Sequence, residues 1–128
     1  MSVEDFFAEY GEAAFRRAET NLLIALTRSK PMIISTGGGT VINPLNRKMM
    51  RNWGNILLVD RPLDDILGDI RLDRRPLLKE GGPEKVRQLY EERMPVYRAA
   101  ADYTLKNDQG YMKAVEGMIR LLHDRLGA

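Results

Sequence analysis

Residues 33–41 read Ile-Ile-Ser-Thr-Gly-Gly-Gly-Thr-Val, a short apolar run that breaks into three consecutive glycines and then resumes. With Met32 the run is uncharged up to Thr36, which predicts a buried strand over 32–36 leading into a turn. The glycines admit two readings. One is a tight strand-to-helix turn that needs positive φ, which only glycine adopts freely. The other is a backbone kept bare so that its N–H groups can donate to a close hydroxyl or carboxylate. A phosphate loop fits less well. The sequence GxxxxGK[ST], whose lysine and hydroxyl serve the phosphates and magnesium, occurs nowhere in these 128 residues. The dinucleotide pattern GxGxxG also fails, because Ile42 stands where its last glycine belongs.

Outward from that turn, helices and short apolar strands alternate. Ser2 and Asp5 form a capping-box pattern ahead of Val3, Phe6, Phe7 and Tyr10, and Gly11 suits the stop of that first helix. A second helix is predicted from Glu12 to Arg28, with Phe15, Ala18, Leu22, Ala25 and Leu26 on its apolar face. Past the glycines come a helix over 44–52 and a second buried strand over 56–60, followed by a helix over 63–72. Residues 71–85, rich in charge, glycine and proline, read as a loop. A helix over 84–101, a strand over 103–106 and a helix over 111–126 complete the chain. Continuous apolar strands separated by helices indicate an α/β fold with parallel strands. Val115, Met118, Ile119, Leu122 and Leu126 form the predicted stripe of the last helix.

Composition narrows the functions. The chain has the length of one domain, with 44% hydrophobic and 30% charged residues, as in globular proteins. The absence of cysteine removes disulfides, thiol nucleophiles and zinc-thiolate sites. No apolar run approaches the ~18 residues of a membrane span, and the acidic start is unlike a secretory signal. A cytoplasmic protein with no membrane or nucleic-acid partner is expected. A net charge of +2, with the cations of 71–85 lacking interleaved aromatics, argues against nucleic acid.

The arginines carry the chemistry. Val86, Leu89, Tyr90 and Tyr97 mark the apolar face of the 84–101 helix, and Arg93 falls on that face. An arginine there is costly unless it is paired or aimed at an anion. The plain alternative is a snorkelling side chain. Arg16 has Glu19 one turn on, close enough to hold its guanidinium, although a surface ion pair would look the same. Arg71, Arg74, Arg75 and Lys79 surround Pro76-Leu77-Leu78. That pattern reads as a lid that closes on apolar residues while carrying cations over a ligand. No metal-ligating set emerges, and His123, Trp53 and Asp60 receive no role.

Four stretches together resemble the shikimate kinases: FRRAE at 15–19, ISTGGGTV from 34, RRPLL at 74–78 and ERMPVYRAAADYTL at 92–105. They stand in the family's order and spacing and span nearly the whole chain. The resemblance implies phosphoryl transfer from ATP, with Mg²⁺, to the 3-hydroxyl of shikimate in aromatic amino acid biosynthesis. It assigns Arg16, Gly38, Gly39 and Arg93 to the shikimate site. The two arginines would clamp the carboxylate and the glycine backbone would meet the ring hydroxyls, with Glu19 and Gly37 in support. Arg75, and Arg71 as a second lid cation, would reach the transferred phosphate.

The resemblance also implies what these residues do not contain. The family's three-layer parallel sheet, of the P-loop nucleoside-monophosphate-kinase type, opens with two strands and a P-loop that have no counterpart here. A single incomplete domain over 1–128, with a lid at 71–85, is therefore expected. Gly68 stands where many members carry a further lid arginine. The first absent strand would lie between 32–36 and 56–60. Two outcomes are expected: the strands re-pair, or two chains associate through open edges. A kinase lacking autonomous activity, a non-catalytic shikimate-binding module and the C-terminal part of a split kinase all remain open.

Overall fold

The computed structural model describes residues 1–28, 32–69 and 82–126. The chain runs α1 (Val3–Thr27), a 3-10 turn (Thr40–Ile42), α2 (Pro44–Trp53), β1 (Leu57–Asp60), α3 (Leu63–Asp69), α4 (Gly82–Ala100), β2 (Tyr103–Lys106) and α5 (Tyr111–Leu126). The α/β expectation holds, with helix predominating.

Local chemistry sets most boundaries. Ser2 caps α1 through a complete capping box with Asp5. Gly11, at φ 83° and ψ 171°, breaks the helical path within α1, which is the stop expected there. Asn43 caps α2 by accepting from the Leu45 amide at 2.9 Å, and Pro44 opens the helix where its missing N–H costs nothing. Helix α4 begins at Gly82, slightly before the expected start, so the 71–85 segment ends in helix. Its cations Arg71, Arg74, Arg75 and Lys79 lie outside the described residues, as does the expected continuation of α3 to residue 72.

β1 and β2 pair in parallel, Leu57 opposite Tyr103 and Asp60 opposite Lys106. The entry to this ladder is clamped. Asp102 Oδ2 accepts from the Ile56 amide at 2.7 Å, while the Asp102 amide donates to the Ile56 carbonyl at 2.8 Å. The strand expected at 32–36 is a correction. No ladder involves it among the described residues, and Ile33 is 85% exposed. A strand needs a hydrogen-bonded neighbour. The ladder of β1 is with β2, and 32–36 has no such neighbour among the described residues. Nor is β1 covered on both faces, since Val59 is exposed.

The core lies where Val41, Ile56 and Ala100 meet, with Met50, Val96 and Tyr97 packed on it. Helices α1, α2 and α4 all contact the 3-10 turn. That convergence holds the glycines just before it among three helices. Thr40 and Asn46 are buried there, and Asn46 Nδ2 donates to the Thr40 carbonyl at 2.8 Å. The inward face of α1 is also a correction. Phe15 and Leu26 of the expected face are half-buried, but Leu22, Ala18 and Ala25 are exposed, while Arg16 and Glu19 are half-buried and Leu23 is buried. The helix has rotated about one residue from its apolar reading, because its inner side meets the polar glycine turn. On α5, Ile119 leaves the expected stripe and is exposed. Val115, Met118 and Leu122 are half-buried, and Gly117 lies so close to Leu105 on β2 that an added Cβ would come within 2.7 Å of Leu105 Cδ1. Among the described residues, no helix is long and apolar enough to cross a membrane.

Candidate functional site

The glycine turn is close-packed by its own neighbours. Positive φ among the described residues occurs at Gly11, Gly82 and Gly110, and not at Gly37, Gly38 or Gly39. Of the two readings the sequence leaves open, strained backbone is therefore excluded. What a side chain at Gly38 or Gly39 would meet is the polar end of a neighbouring side chain. A Cβ on Gly39 would fall inside contact distance of the Arg16 guanidinium. One on Gly38 would lie 2.8 Å from the Tyr97 hydroxyl and 3.5 Å from Arg93 Nη1. One on Gly37 would meet Glu19 Oε2 at 3.5 Å, ordinary contact.

Each of those side chains arrives from a helix. Arg16 and Glu19 come from α1, joined by a 3.0 Å hydrogen bond between Arg16 Nη1 and Glu19 Oε1. Their side chains retain 27% and 17% exposure, enough shielding for the pair to hold the guanidinium in one orientation. Glu12 approaches the same guanidinium at 3.6 Å, and the cation lies 5.2 Å from the centre of the Phe15 ring. From α4 come Arg93 and Tyr97, one turn apart. Arg93 is half-buried on the face it shares with Val86, Leu89, Tyr90 and Met94. Among the described residues it has no ion pair or hydrogen bond. The Tyr97 hydroxyl donates to the Gly38 carbonyl at 2.6 Å.

The structure thus brings Arg16, Glu19, Gly37, Gly38, Gly39 and Arg93 together, as expected from the sequence. Arg71 and Arg75 lie outside the described residues. Tyr97 was missed, although its position four residues after Arg93 on one helical face is a signal for it. Asn46 was also missed; its Oδ1 is buried with no donor among the described residues.

Chemically, the arrangement offers two guanidinium groups against successive glycines, beside a backbone stripped of side chains. One cation is restrained by the Glu19 carboxylate, with Glu12 also near it, and the other lacks a counter-charge among the described residues. Such a pair suits a small anion, and a carboxylate in particular matches the guanidinium fork. A separate groove of about 290 Å³ between α2 and α4 is lined by Arg47, Arg51, Pro95, Val96, Ala99 and Ala100. Its arginines are already committed to carbonyls: Arg47 to Val41 and Ile42 at 2.8 and 2.9 Å, and Arg51 to Ala99 at 3.0 Å. The groove is a helix–helix seam, not a second anion site.

Known proteins resemble this chain closely. The family described as shikimate kinase matches residues 1–122. The shikimate kinase of Clostridium beijerinckii is 39% identical over 118 residues, covering 92% of this chain and 69% of that protein. That of Thermoanaerobacter pseudethanolicus is 46% identical over 108 residues, covering 82% and 62%. Among solved structures, shikimate kinase from Acinetobacter baumannii in complex with shikimate superposes with a TM-score of 0.84 at 32% identity, covering 98% of this chain and 72% of that one. Shikimate kinase from Bacteroides thetaiotaomicron gives 0.79 at 27%, covering 95% and 73%. The chain spans about two thirds of the length of the curated relatives it matches, 69% and 62% of these two.

Proposed function

The chain belongs to the shikimate kinase family, and from that premise we propose that its glycine turn and flanking arginines bind shikimate as the acceptor of a phosphoryl group. Arg93 and Arg16 hold the carboxylate, the Gly38 and Gly39 backbone faces the ring hydroxyls, and Glu19 with Gly37 keeps Arg16 in place. Arg75, with Arg71, reaches the phosphate delivered to the 3-hydroxyl, a step of aromatic amino acid biosynthesis. The observation that carries this reading is Arg93: an arginine half-buried on an apolar helical face, without a counter-charge among the described residues, its guanidinium set against Gly38. An uncompensated cation at such a position is expensive unless an anion completes it. The relative from Acinetobacter baumannii, solved with shikimate, supports the choice of ligand.

ATP and Mg²⁺, which the family implies, do not fit the residues at hand. The 128 residues contain no GxxxxGK[ST], and among the described residues no group of three His, Asp or Glu could hold a metal ion. We therefore assign these residues the acceptor side of the reaction, the part that a shikimate-binding module or the acceptor part of a split kinase would supply.

Thermal unfolding with saturating shikimate, and separately with Mg·ADP, tests the reading. A ligand at ~100 times its Kd adds about 2.7 kcal/mol to stability, which raises Tm by several degrees in a domain of this size. Shikimate is expected to give that rise and Mg·ADP none. A chain indifferent to shikimate would not have a working acceptor site.

We further infer that two copies associate through their open sheet edges. Among the described residues β1 and β2 pair only with each other, and Val59 on β1, like Met32 and Ile33 elsewhere in the chain, exposes apolar surface. Unpaired edges and exposed apolar runs favour strand addition. Light scattering over a concentration series is expected to show mass rising above the 14.6 kDa monomer. A constant monomer mass would refute the association.

A further inference from the structure

We propose that Tyr97 is a positioning residue of this site: by holding the Gly38 carbonyl it aims the Gly39 N–H as a hydrogen-bond donor to the bound acceptor. This rests on the reading that the turn binds shikimate.

The argument begins with the peptide bond. The Gly38 carbonyl and the Gly39 N–H belong to one planar trans unit, so they point in opposite directions and turn together. The Tyr97 hydroxyl donates to that carbonyl at 2.6 Å, a short bond. Fixing the carbonyl therefore fixes the N–H on the other side. Two glycines in sequence would otherwise leave this unit unusually free to rotate.

The N–H is available. In the turn, the Thr40 amide donates to the Gly37 carbonyl at 3.3 Å and the Ile42 amide to the Gly39 carbonyl at 3.2 Å. No acceptor takes the Gly39 N–H among the described residues. A donor held in place without an acceptor is what a ligand oxygen requires, and a carbonyl that already accepts a bond polarises its own N–H further.

Tyr97 is itself immobile enough for the task. Its body packs on the core formed by Val41, Ile56 and Ala100, while its hydroxyl reaches the turn. Tyrosine suits this because it combines an apolar body with a polar tip. It also stands one turn beyond Arg93 on the same helix, so cation and positioning group move as a unit.

The test compares the unaltered chain with Tyr97→Phe by calorimetry with shikimate, by thermal melting, and by the amide NMR signal of Gly39 without ligand. Tyr97→Phe is expected to weaken shikimate about three- to tenfold, the worth of one ordinary hydrogen bond, while Tm stays within a few degrees. The free-state Gly39 amide signal should shift. Gly38→Ala, whose Cβ would displace the hydroxyl, should weaken binding to a similar degree and add little on top of Tyr97→Phe. Unchanged affinity in Tyr97→Phe would overturn the positioning role. Should the unaltered chain fail to bind shikimate, the functional reading falls and the role in binding with it. The Gly39 signal, read without ligand, still decides whether Tyr97 holds the peptide, and an unmoved signal overturns that as well.

Discussion

A chain carrying Gly39→Ala is expected to lose shikimate binding while melting within a few degrees of the unaltered protein. Gly39 sits at φ −83° and ψ −16°, a conformation open to any residue, so alanine brings no backbone strain. Where the backbone is compatible, the change from glycine even stabilises by about 0.4–1 kcal/mol through the unfolded chain. The obstacle is the Arg16 guanidinium, which occupies the volume the new Cβ needs. That obstacle is the far end of a flexible side chain, so it swings away. Folding then loses the pairs with Glu19 and Glu12 and the contact with the Phe15 ring, and partly exposed pairs of this kind are worth up to about 1 kcal/mol each. Binding loses far more. Removing one partner of a buried charge pair costs about 2–5 kcal/mol, or roughly 30- to several-thousand-fold in Kd. Calorimetry beside a thermal melt separates the two quantities. Unchanged affinity would remove Arg16 from the site, and a collapse in Tm would make the glycine a folding requirement instead.

Arg93→Met is expected to reverse the usual relation between site and stability. Arg93 is half-buried on a helical face with Val86 and Met94 and has no counter-charge among the described residues. Methionine keeps the length and flexibility of the side chain and removes the charge. Urea denaturation should therefore show the same stability or a gain of up to about 1 kcal/mol, as is common when a strained functional group is relieved. Shikimate affinity should fall by about 2–5 kcal/mol. Arg93→Lys should lie between, because an ammonium keeps the charge but cannot present two parallel donors to a carboxylate. A destabilised Arg93→Met that still bound shikimate would identify Arg93 as a packing residue.

The elements that sequence reading located best are those whose signals are local. The capping box at Ser2, the Asn43-Pro44 start of α2 and the break at Gly11 depend on residues within one turn of each other. The last helix matches its predicted span, 111–126, although Ile119 of its predicted apolar stripe is exposed. Segment 32–36 was misread for the opposite reason. Its composition is that of a strand, yet strand formation depends on a neighbour, and among the described residues none lies beside it. The inward face of α1 failed similarly: a helix that lines a polar site turns Arg16 and Glu19 inward, against its apolar period.

By itself, the sequence determined the α/β class, the cluster of arginines with the glycine run, and the family to which both belong. These depend on residue types, their order and their spacing, which the chain carries wherever it folds. Only the tertiary structure decided why the glycines are glycines. Their φ angles are ordinary, and the space a Cβ would need is held by Arg16 on one helix and by Tyr97 and Arg93 on another. Those contacts join residues more than 20 and more than 50 positions apart. No local pattern encodes such a close approach, because packing between distant helices sets it.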